Sequence, residues 1–219
     1  MESMPTPEEG RLLLINKPLH WTSFDVVNKL RYKLKTKKIG HAGTLDPLAT
    51  GLLVICTGKY TKKIDEYQGQ EKEYSGEFVI GQTTPSHDLE TEVSPAVDIS
   101  HITEENIFTA AKKLTGSLQQ VPPLHSAIKI NGKRAYKFAR KGKSVELKAR
   151  EVLVSQFEVT QINFNAISFR IVCSKGTYIR SLARDFGNDL GVGAYLRSLC
   201  RTRIGSFELT NAKTLEEIE

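Results

Sequence analysis

Between residues 40 and 51 the chain reads GHAGTLDPLATG: a single carboxylate, Asp46, in a run of glycine, threonine, alanine and proline, with His41 five residues upstream. A lone acid of this kind can act as a nucleophile or as a general base. The same residue can serve only a turn, its side chain closing an Asx-type hydrogen bond. Asp46 precedes Pro47, and a residue before proline is driven out of the helical region, so the acid is expected on a loop. Residue types alone leave the structural turn and the catalyst both open.

Two further stretches could carry chemistry. In SKGTYIRSLARD, residues 174–185, Lys175, Gly176 and Thr177 approach an expected helix start, where free N–H groups and the helix dipole attract anions. Tyr178 and Arg180 fall in its first turn. An arginine there either turns inward to meet a carboxylate or pairs with Asp185 on the surface. In SAIKINGKRAYKFARKGK, residues 126–143, Lys129, Lys133, Arg134, Lys137, Arg140, Lys141 and Lys143 give seven basic residues and no acid, interleaved with Tyr136 and Phe138. Such a patch suits RNA or DNA phosphates with aromatics available for stacking, and it can equally be a solvated face. The net charge of +6 agrees with a polyanionic partner.

Other chemistries find no support. There is no GxxxxGK[ST] phosphate loop, no GxGxxG after a strand, no GxSxG elbow and no HExxH helix. Cys56, Cys173 and Cys200 are odd in number and lack CxxC spacing, and the five histidines are scattered singly. No disulfide framework, metal or other cofactor is expected, and the compartment is a reducing one. MESMPTPEEG carries no targeting signal and no stretch approaches the ~18 apolar residues of a membrane span, which implies a cytoplasmic protein.

These residues must be positioned by the elements around them. RLLLINKP gives a strand stopped by Pro18, and Ser23 is an N-cap for FDVVNKLRYKL, with Phe24, Val27, Leu30 and Leu34 along a core-facing stripe. LLVICTG at 52–58 reads as a buried strand, 59–67 as a short helix, and KEYSGEFVIG at 72–81 as an alternating strand with Tyr74, Gly76, Phe78 and Ile80 on one face. Thr103 caps an amphipathic helix closed by Gly116, after which a loop is expected. Asn131-Gly132 marks a hairpin, followed by paired strands at 144–160 and 166–174. Thr177 caps YIRSLARDFGNDL, a helix ending near Gly191; a short helix at 194–199 and a strand at 203–208 close the chain. The pattern predicts an α+β fold: a mixed, mainly antiparallel sheet flanked by helices, with residues 1–10 as a flexible tail and 11–219 as a single domain.

Five segments in order closely resemble the TruB family of tRNA pseudouridine synthases: NKPLHWTS at 16–23, KIGHAGTLDPLATGLL at 38–53, KEYSGEFVIG, QQVPPLHSAIKINGKRAYKFARKG at 119–142, and SKGTYIRSLARDFG at 174–187. The resemblance implies the pseudouridine synthase fold and an isomerase, acting without cofactor on uridine 55 in the T-loop of elongator tRNAs. It implies that Asp46 is catalytic, as nucleophile or base, that Arg180 is its salt-bridge partner, and that Tyr74 lies against the target base. Tyr178 matches a second pocket residue, and His41 one that contacts the RNA as the target nucleotide is extruded. Lys17 and Pro18 match a motif beneath the active-site tyrosine, and Lys17 is counted with the substrate-binding residues. Lys129, Lys133, Arg134 and Arg140 would hold phosphates. The pattern looks bacterial and stand-alone: a monomer that needs no guide RNA or protein partner and lacks a C-terminal PUA domain. Two positions depart from it. His20 stands where KPxGxTS has glycine, and the TxTxDxxG loop, which Asp88 fits, lacks its glycine. An RNA-binding module or tRNA chaperone is the alternative that the basic stretch alone would support.

Overall fold

The computed structural model describes residues 10–124 and 147–218, together with the backbone of 129–130 and 133–134. Its strands in chain order are β1 (Leu12–Lys17), β2 (Ile39–His41), β3 (Ala49–Thr57), β4 (Lys72–Ile80), β5 (Gly116–Gln120), β6 (Lys129–Ile130), β7 (Lys133–Arg134), β8 (Arg150–Asn163), β9 (Ala166–Cys173), β10 (Ala194–Ile204) and β11 (Phe207–Glu208). Four α-helices lie among the described residues: α1 (Ser23–Lys33), α2 (Ile64–Gly69), α3 (Glu104–Lys113) and α4 (Ile179–Asp189). The chain divides into two compact units, Met1–Ser75 with Leu199–Glu219, and Gly76–Ser198, with the boundaries falling inside β4 and β10.

In the first unit β3 pairs antiparallel with β1 and β2, and in parallel with the second half of β10. Its run of apolar residues is buried on both faces, as expected for an interior strand covered on each side. Leu53 and Ile55 join Val26, Val27 and Leu30 of α1, with Leu215 and Ile218, in one cluster. Leu52, Val54 and Cys56 join Ala42, Tyr67 and Ile204 in another. The stripe expected on α1 is rotated at its start: Phe24 is 62% exposed and Val26 is buried instead. The cap also shifts by one. Thr22 accepts from the Asp25 N–H while the Asp25 carboxylate receives the Thr22 N–H, a reciprocal capping box that leaves the Ser23 hydroxyl free for another task. The short helix expected at 59–67 is a 3₁₀ turn, Gly58–Lys63, running into α2.

In the second unit the strand order is β10, β4, β9, β8, β5, and β8 pairs antiparallel with both β5 and β9. Phe78, Phe157, Phe169 and Phe186 fill its centre, with ring centroids 4.3 to 6.3 Å apart. Thr103 caps α3 as expected, paired with Asn106. Gly116 opens β5 and not a loop. β6 and β7 pair antiparallel on either side of residues 131–132, in keeping with the expected hairpin. Thr177 is not the cap of α4: that position is Tyr178, and the Thr177 hydroxyl donates to the Ser174 carbonyl.

The main correction concerns 194–199, expected as a helix. These residues are the first half of β10, a strand continuous to Ile204. Tyr195, Leu196 and Leu199 are spaced as a helix would space them. Strand partners on either side outweigh that local preference, as tertiary context commonly does.

Candidate active site

Asp46 sits half-buried on the loop between β2 and β3, as its proline neighbour requires. Its main-chain carbonyl closes a tight turn by accepting from the Ala49 N–H at 3.0 Å. The loop is fastened residue by residue within the first unit. Leu45, immediately before the acid, has both backbone groups engaged by the Ser23 hydroxyl, which accepts from the Leu45 N–H at 2.8 Å and donates to the Leu45 carbonyl at 3.1 Å. Pro47, immediately after it, offers its carbonyl to the His20 N–H at 2.8 Å. His20 reaches that bond with φ of 65°, in the left-handed region that favours glycine.

Upstream, Arg201 of β10 lies behind the loop, 1% exposed. Its Nε donates to the Leu52 carbonyl at 2.8 Å, Nη2 to Gly43 at 3.1 Å and Nη1 to Thr44 at 3.4 Å. β10 can come this close because residue 51, paired with Arg201, is glycine. A Cβ there would stand 2.4 Å from the Arg201 carbonyl oxygen, on a backbone with φ of +98°.

The electrostatics of this unit centre on Asp46 and two buried cations. Lys17 is fully buried and donates to the carbonyls of Pro18 at 2.9 Å and Trp21 at 2.6 Å. Burial pulls its ammonium down to about 8; Asp46 opposes that shift and Arg201 adds to it. His41, half-buried at the end of β2, is held below the ordinary histidine range by burial and then by Arg201, with the Gly43 backbone pulling the other way. It is therefore neutral at physiological pH. Tyr74, on β4, is 9% exposed.

In the second unit Arg180 is 3% exposed, which excludes the surface arginine. Its Nη1 lies 3.4 Å from Asp88 Oδ2, and Asp185 instead holds Arg184 Nε at 2.8 Å. Tyr178 is positioned through its backbone. The Gln120 side chain accepts from its N–H at 2.8 Å and donates to its carbonyl at 3.1 Å. Arg150 lies over the Tyr178 ring, 4.9 Å from the centroid, and also donates to the Gly176 carbonyl. His87, beside Arg180 and Arg184, is pushed down to about 4, by burial first and then by the two guanidinium charges.

Lys129, Lys133 and Arg134 fall on the paired strands β6 and β7, but their side chains, and Arg140 entirely, lie outside the described residues. Among the described residues no group of three His, Cys, Asp or Glu side chains comes together to hold a metal ion. No described helix is long and apolar enough to cross a membrane.

Ser23, Arg201, Gln120 and Asp88 escaped the sequence reading as functional residues. Each acts over at least 22 positions of chain or through backbone atoms, which periodicity cannot reveal. For Ser23, Gln120 and Asp88 a signal existed: all three stand inside motifs already singled out.

Comparison with known proteins matches these features to one family. Residues 31–179 fit the family model described as TruB family pseudouridylate synthase, N-terminal domain. A Flavobacterium johnsoniae protein named tRNA pseudouridine synthase B is 55% identical over 217 residues, covering 94% of this chain and 95% of that protein. A Parabacteroides distasonis protein of the same name is 52% identical, covering 96% and 92%. Among solved structures, one chain in the crystal structure of a Cbf5-Nop10-Gar1 complex superposes with a TM-score of 0.75 at 29% identity. The alignment takes in 96% of this chain but spans about half, 53%, of that one. With its Asp46 loop, its ordered motifs and these relatives together, the chain belongs to the TruB family of pseudouridylate synthases.

Proposed function

We propose that the protein is a tRNA pseudouridine synthase that converts uridine 55 in the T-loop of elongator tRNAs to pseudouridine, with Asp46 as the reacting carboxylate and residues 11–219 as one catalytic domain. The names of its relatives support the tRNA substrate. The observation that carries the assignment of Asp46 is the fastening of its loop: the residues on both sides of it are bonded through their backbones, to Ser23 and to His20. Preorganisation of this kind is what a reacting group needs, because the entropy of placing it is lost at folding and not during the reaction.

The reaction is an isomerisation. The N1–C1′ bond of the uridine breaks, the base turns, C5 bonds to C1′, and the proton leaving C5 is balanced by one gained at N1. No oxidant, reductant or cofactor enters. Asp46 serves either by attacking a sugar carbon of oxocarbenium character, as in retaining glycosidases, or by removing a sugar proton. Both routes need it ionised, and the buried ammonium of Lys17, with which Asp46 interacts, is a charge of the sign that suits that form. Following the family resemblance, Arg180 supports the charge of the carboxylate and Tyr74 and Tyr178 take the base. His41, being neutral, offers a stacking face to the RNA as the nucleotide leaves its stack, an extrusion that costs a few kcal/mol. Lys129, Lys133, Arg134 and Arg140 take the phosphates, and the protein acts as a cytoplasmic monomer without guide RNA.

The test is tritium release from a T-stem-loop RNA labelled at C5 of uridine, with the modified position then mapped in full-length tRNA. Wild-type protein releases tritium and modifies position 55. Asp46→Asn binds the RNA and releases none; full activity in that variant sinks the assignment, and modification at other uridines only sinks the substrate.

A further inference from the structure

We infer that Arg201, on a strand far from the motif that carries Asp46, is a positioning residue for the reaction: its guanidinium fixes the Gly43 and Thr44 carbonyls against Leu52 of β3, and so sets the conformation in which the loop delivers Asp46. The inference rests on Asp46 being the reacting group.

The three hydrogen bonds the guanidinium makes all go to backbone carbonyls, one on β3 and two on the loop that leads to Asp46. An arginine is suited to this because its planar fork presents donors in fixed relative directions. A lysine carries the same charge on a single flexible point and cannot span carbonyls of residues 43, 44 and 52 at once. An apolar side chain would remove all three bonds, including the buried one to the Leu52 carbonyl. Burial of an always-charged group is unfavourable unless it is well bonded, and here it is 1% exposed among the largest fully buried side chains of the protein. A purely structural strand position would be served by leucine or valine. The cation is retained where the loop carbonyls converge, and β10 reaches them only because Gly51 lets its backbone in. The charge has a second effect. The guanidinium lowers the affinity of both Lys17 and His41 for a proton.

The experiment uses the full chain and the tritium-release assay, with kcat and KM measured from pH 5 to 9 for Arg201→Lys and Arg201→Gln, beside Asp46→Asn. Thr202→Ala is the comparison for general weakening of the same strand, since it removes a hydrogen bond to Glu73 away from the loop. Arg201→Lys is expected to lose about 100-fold in kcat, with KM for the RNA within about twofold and the acid limb of the kcat profile in place. Arg201→Gln is expected to lose at least as much in kcat, again with KM for the RNA within about twofold. Thr202→Ala keeps wild-type kcat. If Arg201→Gln does not fold, Arg201→Lys decides. The inference is overturned by wild-type kcat in the lysine variant, by a loss confined to KM, or by an equal kcat loss in Thr202→Ala. Inactivity of Asp46→Asn beside normal Arg201 variants refutes this inference alone, whereas activity of Asp46→Asn removes the reading beneath it.

Discussion

Replacing Ser23 by alanine separates two jobs that adjacent residues perform at the start of α1. The Ser23 hydroxyl is 2% exposed at the residue level and satisfies both backbone groups of Leu45, itself 3% exposed. Removing it strands a buried N–H and a buried carbonyl. Each unsatisfied group costs about 1–3 kcal/mol. Because the vacated space is close to that of one small polar group, partial relaxation keeps the expected sum to about 2–4 kcal/mol, well above a median surface change. Thr22→Ala removes the capping box on exposed backbone and is expected to cost about 1 kcal/mol. Urea unfolding at equilibrium gives both values, and the tritium assay gives kcat. Ser23→Ala should also lower kcat, by about 10- to 100-fold, since Leu45 adjoins Asp46 and small misplacements of a reacting group are costly. Thr22→Ala should leave kcat alone. A larger stability loss for Thr22→Ala than for Ser23→Ala, or unchanged kcat in a destabilised Ser23→Ala, would refute the division of labour.

Gly51→Ala forces a Cβ against the Arg201 backbone at φ +98° and should cost more than about 3 kcal/mol, seen as poor soluble yield or a large drop in urea midpoint. At φ 65°, His20→Gly should leave the thermal midpoint unchanged or raise it, by up to about 1 kcal/mol in stability, whereas the β-branched His20→Val should lower it by 1 kcal/mol or more, roughly the left-handed penalty. For His87, whose folded pKa is about 4 against an ordinary 6.5, the unfolded chain takes up the proton first as pH falls. Stability therefore declines between about 6.5 and 4 and levels off below; His41, depressed in the same direction, adds to the slope. His87→Asn, tolerated at its φ of 62°, should show a smaller difference between urea midpoints at pH 7 and 4.5, and an unchanged difference would sink that assignment.

Elements whose evidence was local were legible in the sequence. β3 and β4 announced themselves by apolar runs and alternation, α3 by its threonine cap, and the hairpin by Asn131-Gly132. The Asp46 loop was legible as a loop from Pro47. Its proposed role as a catalyst rests on resemblance, since a lone acid in a turn has an ordinary structural use. Misreadings arose where two local signals were equivalent. Thr22 and Ser23 are both good caps, and only the Asp25 carboxylate three residues beyond Thr22 breaks the tie. Residues 194–199 have apolar spacing compatible with a helix, and what makes them strand is pairing partners far along the chain. Arg201 was invisible for the same reason: nothing near it in sequence says that its partners lie at Gly43, Thr44 and Leu52.

The distance along the chain between those partners has a consequence for synthesis. The Ser23 fastening joins residues 22 apart and can form early, as soon as β2 and the loop leave the ribosome. The Arg201 fastening spans 158 residues to Gly43. A nascent chain thus carries the complete GHAGTLDPLATG segment through a long stretch of further synthesis before the strand that holds it exists. The shape of the Asp46 loop is completed only when β10 has been made, so a ribosome-stalled chain ending before β10 would carry Asp46 on a loop that lacks its Arg201 fastening.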